Sequence, residues 1–164
     1  MFLLRFVFLI LALPVILLLR LFGVRRRGIV MLPDDHPEMA AAIQQARETL
    51  PEFRRLLASP EPGMAHFGVK ARFRVEGGGH EHCWVNDLEP RDFGVSGKLG
   101  NQPNSLPNLQ LGSSVNVRDD QITDWSYERN GVYQGHFTTK VLLPHLPRKL
   151  RHQAETAYGW KKAS

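Results

Sequence analysis

The first 27 residues constrain this chain more than any other stretch. They read MFLLRFVFLILALPVILLLRLFGVRRR. Fourteen consecutive residues from Phe6 to Leu19 are uncharged. The apolar stretch extends over Phe2 to Val24 if Arg5 and Arg20 snorkel toward the headgroups. A bilayer core takes roughly 20 apolar residues as a helix. The segment therefore predicts a single-pass transmembrane anchor over 1–27, with Arg20, Arg25, Arg26 and Arg27 as its basic membrane flank. No small-x-small cleavage pattern precedes those arginines, so the anchor is expected to stay attached rather than leave as a signal peptide. Positive charge stays in the cytoplasm, and four arginines on the C-terminal flank against Arg5 and the amino group favour a cytoplasmic domain. Pro14, in mid-run, is placed to kink the helix or split it.

Behind the anchor the sequence divides into a connector over 28–36, one domain over 37–146 and a basic tail over 147–164. That length suits one compact unit with its own core. The pI near 9.7 suggests nucleic acid at first sight, but the charge sits at the two ends. Residues 1–27 carry +5, 28–63 carry −3, 64–144 carry −1 and 145–164 carry +4. No basic stripe crosses the domain, which argues against a nucleic-acid partner and points instead to anionic lipid headgroups at the ends. Cys83 is the only cysteine, so no internal disulfide can form.

Periodicity places the elements. Asp35-His36-Pro37-Glu38 reads as a helix start with an Asp-x-x-Glu capping box. Met39, Ile43, Ala46, Leu50, Phe53 and Leu57 then mark one apolar helical face. Pro51, preceded by Thr49-x-x-Glu52, predicts a kink or restart within the 37–58 helix. Ser59-Pro60-Glu61-Pro62-Gly63 breaks the helix, and the period changes to two: Phe67, Val69, Ala71, Phe73 and Val75 alternate with polar residues as in a half-buried strand. Further strands are expected over 80–88, 91–99, around Val115 and Val117, over 122–128, and over 132–143 after an Asn130-Gly131 turn. Residues 148–159 read as a basic helix. The fold class is α+β: a twisted antiparallel sheet of five to six strands with the N-terminal helix packed on it.

A set of pieces in fixed order carries a family resemblance. Met39-x3-Ile43-x2-Ala46-Arg47-x-Thr49-Leu50-Pro51-x-Phe53 comes first, then Phe67-x-Val69-Lys70 and Glu81-His82-x-Trp84-Val85. Gly97-x-Leu99-x-Asn101-x-Pro103, Gly112-x2-Val115 and Ile122-x-Asp124-Trp125 follow, and Gly131-x3-Gly135-x-Phe137-Thr138 closes the series. Over Met39 to Leu143 the chain resembles a bacterial family known as the YegJ-like domain of unknown function. Phe137 stands where the family often has Tyr, and Ser113 where an acidic residue is common. The resemblance implies a fold and a bacterial setting, hence an inner-membrane location for the anchor. It implies no reaction.

Candidate site residues come from the strand pattern. His82 could act as an acid–base group beside a carboxylate, with Asp124 or Glu81 as its partner. This gives a hydrolase-like reading. His80-x-His82 with Cys83 is a poor metal set, because Cys83 points to the opposite face, and no metal is assigned. No nucleophile elbow and no phosphate loop is present, and no cofactor is implied. Trp84, Trp125 and Tyr133, with Asn101 and Pro103 in a long polar loop, are the candidate ligand- or partner-binding residues. The reading these features favour is a membrane-tethered, non-catalytic module that binds a protein or small ligand. A scaffold built on the anchor and an uncovered 39–57 stripe is a further alternative.

Overall fold

The computed structural model describes residues 32–161. The expected anchor over 1–27, including Arg20, Arg25, Arg26 and Arg27, lies outside the described residues. Among those described, no helix is long and apolar enough to cross a membrane.

Two helices open the fold, α1 (Pro37–Glu48) and α2 (Leu50–Ala58). Pro37 occupies the first turn of α1, where its missing N–H costs nothing. The expected Asp35–Glu38 capping box is not formed: His36 is the N-cap and makes no side-chain cap bond. The restart at Pro51 is present, but Thr49 does not cap α2. Its hydroxyl turns back and donates to the Gln45 carbonyl at 2.7 Å, closing the end of α1 instead.

Six strands follow: β1 (Met64–Arg74), β2 (His80–Arg91), β3 (Gly94–Leu99), β4 (Ser114–Arg118), β5 (Ile122–Arg129) and β6 (Val132–Gly135). They form one antiparallel sheet in the order β4-β3-β2-β1-β5-β6. Strand alternation sends Val69, Ala71, Cys83, Val85, Trp125 and Tyr127 to one face, where Ala46, Leu50, Phe53 and Leu56 of the two helices cover them. Phe53 is fully buried and stacks on Trp125 with ring centroids 5.2 Å apart. The Trp125 indole N–H donates to the Ala46 carbonyl at 3.0 Å, so its one polar atom is satisfied at the α1–α2 junction.

Two expected elements differ. The β2–β3 turn falls at Asp92–Phe93, so the third strand begins at Gly94 rather than Arg91. The sixth strand, expected over 132–143, stops at Gly135. Gly135 and His136 both take positive φ, 74° and 54°, and a Cβ on Gly135 would sit 2.1 Å from the Trp125 carbonyl oxygen. The chain turns there into a short helix, α3 (Phe137–Leu142). The basic helix expected over 148–159 is present. It forms α4 (Arg148–Ala157) and returns to the sheet edge: the Tyr133 N–H donates to the Tyr158 carbonyl at 3.0 Å and the Trp160 indole N–H to the Tyr133 carbonyl at 2.8 Å.

Because Phe53 joins α2 to the sheet, Phe53→Ala is expected to lower unfolding free energy by about 3–5 kcal/mol in urea titration of the detergent-solubilised protein. A loss below about 1 kcal/mol would mean that α2 is not the lid of this core.

Candidate functional site

The sheet face turned away from Phe53 is unusually polar for its burial. Lys70 of β1 lies opposite Asp124 of β5 in the strand register, and Asp124 is fully buried. Its Oδ1 accepts the N–H groups of Trp125 (2.8 Å) and Phe137 (3.0 Å). Its Oδ2 accepts the Thr138 N–H (2.8 Å) and the Thr138 hydroxyl (2.7 Å). The first N–H groups of a helix have no partner within it. Here Asp124 supplies that partner for α3, in place of His136 at the N-cap, which makes no side-chain cap bond. The Lys70 ammonium donates to the Thr138 hydroxyl at 3.2 Å, which passes its own proton toward Asp124. Burial pushes Asp124 above the ordinary carboxylate range, opposed by the Thr138 hydroxyl and Lys70. Burial likewise pulls Lys70 down, opposed by Asp124 and Asp34.

His136 is buried within an aromatic shell, its ring 4.5 Å from Tyr158, 4.8 Å from Trp84 and 5.5 Å from Tyr133 between centroids. Burial, with the cations of Lys140 and Lys70 nearby, lowers its pKa to about 3. It is therefore neutral in the folded protein at physiological pH.

His82 does not pair with Asp124. β1 lies between their strands: Asp124 of β5 is opposite Lys70 on one side of β1, and His82 of β2 is opposite Arg72 on the other. The carboxylate beside His82 is Asp34 of the connector, whose Oδ2 accepts from Nε2 at 2.9 Å; Nδ1 faces the Thr123 hydroxyl at 3.1 Å. Burial pulls the His82 pKa down, and Asp34 opposes it. A carboxylate, an imidazole and a hydroxyl in a row can in principle activate the hydroxyl. Thr123, however, is 1% exposed, and its hydroxyl also lies 3.2 Å from the Lys70 carbonyl. The row fastens the connector to the sheet, with Thr123 buried and Asp34 at the edge of an open groove.

Glu81 does not pair with His82 either. Its carboxylate accepts the N–H groups of Asn104 (2.6 Å) and Ser105 (2.7 Å), pinning the loop between β3 and β4. Asn101 accepts the Trp84 backbone N–H at 2.8 Å. Trp84, Trp125, Asn101 and Pro103 are all buried, and Tyr133 is half-buried against α4. These five residues hold the fold and do not line an open surface. Cys83 is buried too, and burial pushes its thiol up to about 11, which leaves it unreactive. Among the described residues no group of three or more His, Cys, Asp or Glu side chains is placed to hold a metal ion.

An open groove of about 420 Å3 beside the connector is lined by the charged and polar residues Asp34, Gln44, Arg47, Glu48, Arg72 and Thr123 together with Ala40 and Ile43. Arg47 is positioned by its Nε–H, which donates to the Ile122 carbonyl at 3.3 Å. The pattern reading missed Asp34, Lys70, His136 and Thr138 as members of these clusters.

A family model described as an uncharacterized protein conserved in bacteria (DUF2314) matches residues 36–161. A protein of Neisseria meningitidis serogroup B whose name describes ankyrin repeats is 31% identical over 116 residues, 69% of this chain and 44% of its own length. The chain thus spans less than half of that relative. The uncharacterized protein YegJ of Escherichia coli is 27% identical over 115 residues, 70% of this chain and 73% of its own length. No solved structure gives a significant match.

The neutral, buried His136 has a consequence for pH dependence. In the unfolded chain a histidine takes up a proton near pH 6.5, whereas folded His136 does so only near 3. Its contribution to stability is thus complete above 6.5 and declines as pH falls through 6.5 toward 3. The lowered His82 pKa acts in the same direction. Between pH 7.5 and 5.5 the wild type should lose about 1.3 kcal/mol more than His136→Asn in paired urea titrations; parallel losses would show that His136 is protonated in the folded state.

Proposed function

Since the chain belongs to the family of uncharacterized proteins conserved in bacteria (DUF2314), its role has to be read from its own geometry, and we propose that it is a membrane-tethered, non-catalytic module that binds a protein partner through the groove beside α1. The observation that carries this reading is the contrast between the two kinds of polar surface. The ionisable groups with acid–base capacity, Lys70, His82, Asp124 and His136, are committed to hydrogen bonds or aromatic packing inside the fold. Next to them, the charged groups of the groove face solvent in a concavity that carries both signs of charge.

Sites for small ligands are mostly apolar and enclosed. This groove is open, carries both signs of charge (Asp34 and Glu48, Arg47 and Arg72), and has one wall built by a helix. Those properties suit a polar segment of another protein. The scaffold alternative needs an uncovered 39–57 stripe, yet Phe53 and Leu56 are buried under the sheet. The apolar leader and its arginine flank support attachment at the cytoplasmic face of the inner membrane.

In-membrane photocrosslinking of the full-length protein tests the reading. A photoreactive residue at Gln44 or at Arg72 should yield the same discrete protein adduct. The adduct should vanish with Glu48→Lys and should not form from Phe93, which projects from the β2–β3 turn at 82% exposure. Adducts equal at all three positions, or a turnover abolished by His82→Gln, would overturn it.

A further inference from the structure

The C-terminal helix and the tethered end of the chain are brought to the same side of the sheet. His82 and Trp84 stand two apart on β2, so they share a face. His82 holds Asp34 of the connector. Trp84 packs on His136, and His136 packs on Tyr158 and Trp160 at the end of α4. One continuous run of contacts therefore links the point where the chain enters the domain to the helix that closes it.

The outward side of that helix is basic. Arg148, Lys149, Arg151, His152 and Lys161 line a concavity of about 570 Å3 in which Glu155 is the one acid. Glu155 is paired with Lys161 at 2.5 Å, so the arginines and Lys149 have no acid partner among the lining residues. The inward side of α4 is fixed by Ala154 and Tyr158 in their own small apolar cluster. The basic side is thus held in one orientation by packing.

Reach decides what meets it. Asp34 stands seven residues after Arg27, and seven residues extend over at most about 25 Å. With Asp34 fastened to His82, the point of a tethered body at His82 stays within that distance of the leaflet, and the aromatic contacts carry α4 to the same side of the sheet. From such a position an anionic surface attracts basic groups that come within a Debye length, about 8–10 Å.

The geometry points to the basic concavity of α4 as a docking surface for acidic phospholipid headgroups of the leaflet that holds the chain's own anchor. This inference rests on the membrane tether proposed above. It adds the orientation of the domain: the outward side of α4 is turned to lipid, and the α2 side with its Arg54–Asp119 ion pair is turned away. Each basic residue near an anionic leaflet strengthens association by about fivefold, so Arg148, Lys149 and Arg151 together dominate the contact.

The test uses the full chain reconstituted in phosphatidylcholine vesicles with or without phosphatidylglycerol. A fluorophore is placed on Gln153→Cys in α4 or on Phe93→Cys, while Cys83 stays unlabelled because it is buried. Spin-labelled lipid should quench the label at 153 only when phosphatidylglycerol is present. Quenching should be lost when Arg148, Lys149 and Arg151 are all changed to Gln, and the label at 93 should not respond in either membrane. Resistance to carbonate extraction, measured in parallel, reports the tether alone. A protein that resists carbonate but shows no quenching at 153 would overturn the lipid assignment, leave the tether standing and give this face to a protein partner. Equal quenching in both membranes would also overturn it, since the contact would then be apolar. A protein released by carbonate would remove the tether and this inference together.

Discussion

Asp124 lies where a sheet has to become a helix. Gly135 and His136 turn the chain sharply, and α3 begins with amide groups that its own backbone cannot satisfy. Those amides and the Thr138 hydroxyl converge on one carboxylate from the strand next to the sheet's edge strand. Lys70 joins them from the neighbouring strand through Thr138. A fully buried charge without partners would cost several kcal/mol, so the carboxylate and its four donors are obligatory to one another. The position of α3, the path into α4 and the aromatic shell around His136 all follow from that junction.

The same logic accounts for the character of the polar face. It contains residue types that enzymes use, yet each has a structural partner: His82 holds the connector, Lys70 holds Thr138, and His136 fills an aromatic shell as a neutral ring. The proposed roles use surfaces around this face, the mixed-charge groove on one flank and the basic side of α4 on another. A short connector latched by Asp34 ties both to whatever lies before residue 28.

Much of the fold was legible because its signals are local. The period of two in Phe67–Val75, the period of 3.6 in Met39–Leu57 and the Asn130-Gly131 turn each specify an element from a few neighbouring residues. The family resemblance was legible for the same reason, since it rests on an ordered series of such pieces and the family match covers them. What was not legible depends on partners distant in sequence. Phe137 to Leu143 reads as a strand until Asp124 caps it from thirteen residues earlier. His82 and Asp124 share a face of the sheet, but β1 stands between their strands, and Asp34 of the connector takes the place beside His82. Trp84 and Trp125 look like binding aromatics because composition does not reveal burial; in the structure both are core. A sequence sign of the buried cluster is Thr123-Asp124, a hydroxyl and a carboxylate set between Ile122 and Trp125 at the start of a strand.

The most direct measurement is the unfolding free energy of Asp124→Asn with amide exchange read at Phe137 and Thr138. The substitution keeps size and shape but turns one acceptor into a donor facing N–H groups. If Asp124 is the structural keystone, stability should fall by about 2–4 kcal/mol and exchange at both amides should rise toward that of an uncapped helix end. Residues kept for chemistry are often tolerated or even stabilising when neutralised. Unchanged or increased stability with native protection at Phe137 and Thr138 would therefore contradict this account and return Asp124 to consideration as a working group.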